Sequence, residues 1–322
     1  MNKDIVVLIP VYNPDKDIMN KFLEKLTKKF DNIVFINDGC DKSYDNYLNK
    51  LSKKYPIIKH NINLGKGRGL KNGINYILNN YPNSSIIVAA DCDGQHSVKD
   101  IKKCADMAIK YQDRLILGVR NFTNSSIPFR SKFGNIITRN VLNLLVGVKI
   151  SDTQTGLRAM SFDIAKKLID VSGERYEYET NVLIETKNRN IFVKEIPIDT
   201  IYINSNKTSH FNPIKDSIRV YKLFTPYILF TVLAYIIETI IFINTYNIYN
   251  LFYTIPLVLL LSKIVSSIIK KIFNKYVNIL YIVINYLISI IILSLVNTHI
   301  IEVKILIDIL VLFIYVFNRR TQ

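Results

Sequence analysis

The chain has 322 residues, enough for one full-sized domain with its own core and something smaller beside it. Its 49% hydrophobic content is ordinary, but a formal net charge of +16 suits an anionic partner such as a nucleoside diphosphate, a lipid headgroup or nucleic acid. Three cysteines, Cys40, Cys92 and Cys104, have no paired spacing and no histidine at ligand distance, which argues against a disulfide framework or a zinc site and for a reduced, cytosolic setting.

The opening MNKDIVVLIPVYN carries an apolar run too short for a signal peptide, interrupted by Pro10, and Ile5–Val11 is expected as a strand. Further strands are expected at Asn32–Asp38, 86–93 and Arg114–Arg120, with helical periodicity over 17–30, 42–54, Lys66–Asn80 and 98–111. Continuous apolar strands separated by helices imply an α/β fold with a mostly parallel sheet covered on both faces, and ligands then sit off the carboxyl ends of the strands. Pro10, Tyr12, Asp38, Asp91 to Gln95 and Arg120 fall at those ends. From residue 121 the alternation stops. NFTNSSIPFRSKF reads as a mobile loop, 134–145 as a helix, and SDTQTGLRAM as part of a segment that builds a site over the sheet without extending it.

Residues 226–322 hold 7 Lys or Arg and 3 Asp or Glu, leaving a net charge of +12 on the rest. Within this tail four apolar runs, 227–243, 251–269, 277–296 and 303–317, are each about long enough to cross a hydrocarbon core of about 30 Å. Lys222, the Lys270, Lys271 and Lys275 cluster, and Arg319 with Arg320 all fall on one side of these runs, so the positive-inside rule places both termini in the cytosol. In PIKDSIRVYKLF, Ile214, Ile218, Tyr221 and Phe224 share a helical face apart from Lys215, Arg219 and Lys222, which suits a helix lying on a membrane. The expected partition is a cytosolic domain over 1–212, an interfacial helix over 213–225 and a four-helix transmembrane domain over 226–322. A membrane partner is thereby favoured over nucleic acid.

Asp91 and Asp93, two apart on an extended chain, point to the same side, and carboxylates that close repel unless a cation neutralises them. A bare D-x-D is common by chance, but here it ends a buried strand and is followed by Gln95 and His96. Oxygen-only ligands favour Mg²⁺ or Mn²⁺, whose shells are commonly completed by substrate phosphate oxygens. Cys92 is expected to point the other way, and His96 to touch phosphate or cap the next turn. Gly65, Gly67, Gly69 and Gly73 with Lys66 lack the Walker spacing and read as close backbone approach where a helix starts beneath a nucleotide.

IPVYN (9–13), NDGCDKS (37–43), NLGKGRGLKNG (63–73), DCDGQH (91–96) and DTQTGLRAM (152–160), in this order, resemble the successive motifs of family 2 glycosyltransferases of the polyprenyl-phosphate group, which includes dolichol-phosphate mannose synthases and bactoprenol glucosyltransferases. The resemblance implies a GT-A-like nucleotide-sugar fold in which Pro10, Tyr12 and Asp38 contact the nucleobase and Lys66 lies with the glycines beneath the nucleotide. Asp91 and Asp93 would handle ribose, metal and diphosphate, with Gln95 helping to hold the metal. Asp152 and Arg158 would fall on a loop near the acceptor, and Arg120 and Arg130 would meet diphosphate and acceptor phosphate, a role that suits a guanidinium fork. The chain departs from the family where its usual glutamate is Pro14, and where NSNKTSHF (204–211) replaces an R-x-x-G-x-S segment; Lys207 and His210 are expected to compensate there. The tail is similar in topology to GtrA-like membrane domains, with Glu238 and Lys263 placed for interior pairing.

The expected reaction is metal-dependent, inverting transfer of a hexose from a UDP- or GDP-linked sugar to a polyprenyl phosphate at the cytosolic face of the cytoplasmic membrane. A processive polysaccharide synthase is disfavoured because its Q-x-x-R-W motif needs a tryptophan and the chain has none. A transferase acting on another lipid or glycan, or a membrane anchor or flippase carrying an inactive transferase domain, stays open, as does self-association into a homo-oligomer.

Overall fold

The computed structural model describes residues 4–121, 129–199 and 215–225; the side chains of 129–131 and 144–145 lie outside that description. Residues up to 139 together with 150–223 form one compact unit. Residues 140–149 and 224–322 form a second, of which only 140–149 and 224–225 are described. Among the described residues no helix is long and apolar enough to cross a membrane. The four expected spans, Glu238 and Lys263 all lie outside the described residues.

The first unit is built on a seven-stranded sheet. Its strands are β1 (Ile5–Val11), β2 (Asn32–Asp38), β3 (Ile57–His60), β4 (Ile86–Ala89), β5 (Arg114–Arg120), β6 (Arg158–Ser161) and β7 (Phe192–Ile198), in the order β3-β2-β1-β4-β6-β5-β7. All neighbours run parallel except β6, which is antiparallel to both β4 and β5. The strand order reverses direction between β1 and β4, and a crevice opens at such a switch point outside the carboxyl ends of the strands.

The central strands are apolar because both faces are covered. Ile5 through Ile9 and Ile86 through Val88 are fully buried, each side chain contributing about 1.5–3 kcal/mol of transfer free energy. The helices α1 (Lys16–Leu26), α2 (Asp45–Ser52), α3 (Lys66–Asn80) and α4 (Val98–Lys110) follow their strands in turn. Asp15 caps α1 by accepting from the N–H groups of Asp17 and Ile18, and Ser97 caps α4 through the Asp100 N–H. Packing of α3 on the sheet is very close: a Cβ at Gly73 would lie 2.3 Å from Leu8 Cδ1, and one at Gly69 would lie 3.2 Å from Ile36 Cγ2. Then come α5 (Phe129–Val146), α6 (Phe162–Leu168), α7 (Glu177–Asn188) and α8 (Lys215–Lys222).

Two expectations are corrected. The segment after residue 150 does extend the sheet, supplying β6 and β7, because the short buried run Arg158–Ser161 finds open edges on β4 and β5 at once. The strand expected over 86–93 stops at Ala89, and the chain turns through 92–94 with Gly94 at φ 74°, so Asp91 and Asp93 are presented by a turn and not by an extended strand.

Candidate active site

Off the carboxyl ends of β1, β2 and β4 lie two adjoining hollows of about 450 and 190 Å³ that share Lys66, Asp91, Asp93 and Tyr176. The larger reaches back to Pro10, Tyr12 and Asp38; the smaller is walled by Gln95, His96, Arg120, residues 153–156 and Glu179.

Two backbone features fix the floor. Asp38, almost fully buried, accepts from Leu64 N–H and Gly65 N–H at 2.9 Å each, and from His60 Nδ1 at 2.7 Å. Asn72 Nδ2 lies 2.9 Å from the other ring nitrogen of His60 and completes the chain of hydrogen bonds. The turn that opens α3 is therefore tied to the end of β2. Gly65 there has φ 103°, a left-handed value that a side chain rarely adopts, and a Cβ on Gly67 would come 2.5 Å from Tyr178 Cβ. The glycines thus serve close approach, and what they approach is the sheet and the segment leading into α7.

At the shared wall the ammonium of Lys66 lies 2.7 Å from Asp91 Oδ1 and 3.0 Å from Glu179 Oε1. Burial alone would raise the Asp91 pKa, but Lys66, His96 and Arg120 outweigh it and hold the carboxyl below its ordinary value. Lys66 is raised, since its two carboxylates overcome the cost of burial. Asp93 behaves oppositely: burial, then the charge of Asp91, push it up. Its Oδ1 accepts from Gln95 N–H at 3.0 Å, and among the described residues no cation forms an ion pair with it. His96 Nδ1 accepts from Asp91 N–H at 3.3 Å, so the ring braces the turn while also edging the smaller hollow. Gly156 leaves room for this cluster, as a Cβ there would sit 2.2 Å from Asp91 Oδ2.

Arg120 is held by a bidentate pair to Asp152, Nε to Oδ2 at 2.7 Å and Nη2 to Oδ1 at 2.9 Å, and the fully buried Asp152 also accepts from Gln154 N–H. Arg158 is buried too, donating to Thr155 O and Glu179 O. Asp152 and Arg158 therefore stand behind the wall, where they set Arg120 and the 153–156 loop, while Arg120 itself edges the hollow. The loop is further tied by Thr153, whose N–H and hydroxyl both donate to Asn135 Oδ1, and by Thr155, whose hydroxyl donates to Gly118 O.

Of the residues expected at the site, Pro10, Tyr12, Asp38, Lys66, Asp91, Asp93, Gln95 and Arg120 line the two hollows. Cys92, expected to point away, half-packs against the core yet also borders the larger hollow, its thiol pushed up by burial. Lys207, His210 and the side chain of Arg130 lie outside the described residues. Glu179, Tyr176, Arg175 and Asn63 were not foreseen. Glu179 had a signal, a lone acid in the buried run of Tyr178, Thr180, Val182 and Leu183. On α8, Asp216 and Val220 turn inward to the hollows, while Ile218, 62% exposed, shares the outer side with Lys215, Arg219 and Lys222.

The residues present fit a divalent cation. Asp93 is a part-buried carboxylate with no cationic partner in an ion pair among the described residues, Gln95 adds an amide, and the donors are oxygens. Among the described residues no three His, Cys, Asp or Glu side chains gather into a metal-binding group, so substrate oxygens would complete such a shell.

Comparison with known proteins places these features in context. Residues 6–169 match the family described as Glycosyl transferase family 2. An uncharacterised protein of Methanocaldococcus jannaschii is 32% identical over 232 residues, covering 69% of this chain and 92% of that protein. The UDP-N-acetylglucosamine–dolichyl-phosphate N-acetylglucosaminyltransferase of Methanococcus voltae is 32% identical over 224 residues, covering 62% of this chain and 87% of the relative. Among solved structures, glucosyl-3-phosphoglycerate synthase from Mycobacterium tuberculosis, in complex with Mn²⁺, UDP-glucose and phosphoglyceric acid, superposes with a TM-score of 0.52 at 13% identity, covering 69% of this chain and 79% of that one. The likeness to the mycobacterial enzyme is one of fold.

Proposed function

Because the chain belongs to glycosyl transferase family 2 and is a glycosyltransferase of GT-A-like fold, we propose that it transfers a hexose from a nucleoside-diphosphate sugar to a polyprenyl phosphate. The observation that carries this reading is the pair of hollows meeting at Asp91 and Asp93. The larger has room for a nucleoside diphosphate along β1 and β2; the smaller, edged by Arg120, suits an acceptor that ends in phosphate. Support for a lipid acceptor comes from the Methanococcus voltae relative, whose name carries dolichyl phosphate.

An acceptor phosphate is already ionised at neutral pH and needs no strong general base to attack the anomeric carbon. Catalysis then rests on alignment and on stabilising the departing diphosphate. Lys66 holds Asp91 ionised and in place, and Asp152 fixes the Arg120 guanidinium at the wall of the smaller hollow before the acceptor arrives. Asp93 and Gln95 would hold Mg²⁺ or Mn²⁺, which supplies positive charge to the leaving group. In-line displacement inverts the anomeric centre, turning an α-linked donor into a β-linked lipid-phosphate sugar.

We place the catalytic unit in the cytosol over 1–212, α8 and its neighbours at the membrane surface over 213–225, and four GtrA-like spans over 226–322, with both termini cytosolic. The outer side of α8, basic with one exposed isoleucine, is suited to an anionic bilayer surface. The test is to incubate membranes containing the protein with a panel of nucleotide sugars, Mg²⁺ or Mn²⁺ and polyprenyl phosphate, and to identify products by mass spectrometry. A polyprenyl-phosphate hexose is the expected product. No product with any donor would overturn the assignment of substrates, and sugar found only on another lipid or glycan would redirect the acceptor.

A further inference from the structure

A second concentration of charge lies at the end of the sheet opposite the two hollows. β5 begins at Arg114 and β7 at Phe192, and these two residues are register partners. There the ring of Tyr111, at the carboxyl end of α4, is flanked by three cations. Lys194 Nζ lies 4.6 Å from the ring centroid, Arg114 Cζ 5.0 Å and Lys110 Nζ 5.5 Å. Arg114 also lies over the ring of Phe192 at 5.7 Å, and Phe192 is 65% exposed. Further along the seam between α4 and the edge strand β7, the exposed Lys103 donates to Pro197 O at 2.9 Å.

Three like charges around one ring stand no more than about 10 Å apart, roughly one Debye length at moderate salt, so they repel one another. The ring faces offset part of that cost, and the fold supplies little else. Among the described residues the one carboxylate that pairs with any of these four cations is Asp113, 3.6 Å from Arg114 Nε, too far for a hydrogen bond. That Nε is buried and has no hydrogen-bond partner among the described residues. Glu195, next to Lys194 on β7, is taken up by the N–H and hydroxyl of Ser151, and Asp106 is paired with Lys102. A lysine surface that served solubility alone would need neither an unpartnered buried donor nor an exposed aromatic ring.

We propose that the seam between α4 and β7 binds an acidic, extended segment of a partner protein, whose carboxylates meet Lys103, Lys110, Arg114 and Lys194 while an apolar side chain covers Phe192. From Phe192 to Pro197 the seam runs about 17 Å at about 3.3 Å per residue, room for about five residues of extended chain. Charge complementarity requires an anionic occupant, and position selects its class. A bilayer on the outer side of α8 lies by the carboxyl ends of the strands, where α8 borders the hollows, whereas this cluster lies at the amino ends. Single-stranded nucleic acid needs open ring faces on which to stack its bases, and here both rings are already packed with cations. A second copy of this chain would bring the same sign of charge to the seam.

The experiment is fluorescence anisotropy of the full chain in detergent with three labelled probes: a peptide of alternating glutamate and leucine, its glutamine counterpart and oligouridylate. The glutamate peptide is expected to bind at least about tenfold more tightly than the glutamine one, with the difference shrinking as salt rises. Lys194→Gln and Phe192→Ser are each expected to weaken that binding by about threefold or more, and Arg114→Gln further, with transferase turnover unchanged. The first two lie on an edge strand and carry the test should Arg114→Gln melt early. Lys215→Gln combined with Lys222→Gln, on α8, is expected to leave peptide binding as it was. Equal binding of the two peptides, tighter binding of oligouridylate than of the glutamate peptide, or equal losses from the seam and α8 variants overturns the proposal.

Discussion

The corner at Asp38 and the corner at Asp91 and Asp93 both place carboxylates where buried parallel strands end, and they handle the charge differently. Asp38 is absorbed into the fold by two backbone N–H groups and an imidazole that is itself held by Asn72. At the other corner Asp91 and Glu179 share one ammonium, and Asp93 has no cationic partner among the described residues. One corner is held by hydrogen bonds from within the fold. The other carries an electrostatic cost that a substrate-bound cation would remove.

Asp93→Asn breaks the comparison most sharply. Product formation is expected to fall by about a thousandfold or more, a loss of about 4 kcal/mol in transition-state stabilisation. Because burial and Asp91 raise the folded-state pKa of Asp93, its ionised form weighs against folding above that pKa, and the penalty disappears as pH falls through it. The variant should therefore melt no lower than wild type at neutral pH. Turnover that survives the change would remove this corner from the chemistry.

Lys66→Met leaves buried Glu179 and part-buried Asp91 without their cation and is expected to cost about 2–3 kcal/mol in stability, less than a fully buried pair because Asp91 is partly solvated. The ionised form of Asp91, whose pKa is depressed, contributes stability above the unfolded-state pKa that is lost as pH falls through the folded-state value. Removing Lys66 raises the folded value, so melting curves across the acid range should show the variant losing this contribution at higher pH than wild type.

His60→Phe sharpens the comparison from the other side. It strips a hydrogen bond from buried Asp38 and from Asn72, at about 1–3 kcal/mol of stability, with turnover at saturating substrate within about threefold of wild type. A collapse in turnover equal to that of Asp93→Asn would show that the two corners are not separable. The smallest effect is expected for Asn72→Leu, about 1 kcal/mol in thermal or denaturant unfolding with activity unchanged.

How much of this was legible follows from what each segment shows locally. Ile5–Val11, Asn32–Asp38 and Arg114–Arg120 read as strands to the residue, because a strand buried on both faces must be a continuous apolar run. Lys66–Asn80 read equally well as a helix. Ile57–His60 and Arg158–Ser161 did not, being only 4 residues each, the first half exposed and the second opening on an arginine whose charge is answered by distant carbonyls. Phe192–Ile198 carries Lys194, Glu195 and Pro197, tolerable on an edge strand and misleading in sequence. At the site, residues that end strands were visible as motifs. Glu179, Arg175 and Asn63 were not, since their relevance depends on α7 and its approach packing against the start of α3, which no local pattern announces.

The reversed strand β6 has a consequence for how such a chain can change. Strands β1, β2 and β4 deliver residues at or after their carboxyl ends to the hollows, but β6, running the other way, delivers the residues that precede it, Thr153 to Gly156. Those residues close the excursion between β5 and β6 and form part of the wall of the smaller hollow, while the larger hollow is bordered by turns that follow β1 and β4 and by the end of β2. Lengthening or rewriting that excursion alters one substrate's surroundings without shifting the register of β1, β2 or β4. On the proposed assignment of the two hollows, the fold separates two adjustments, so that an acceptor could be exchanged while the machinery for the donor is inherited unchanged.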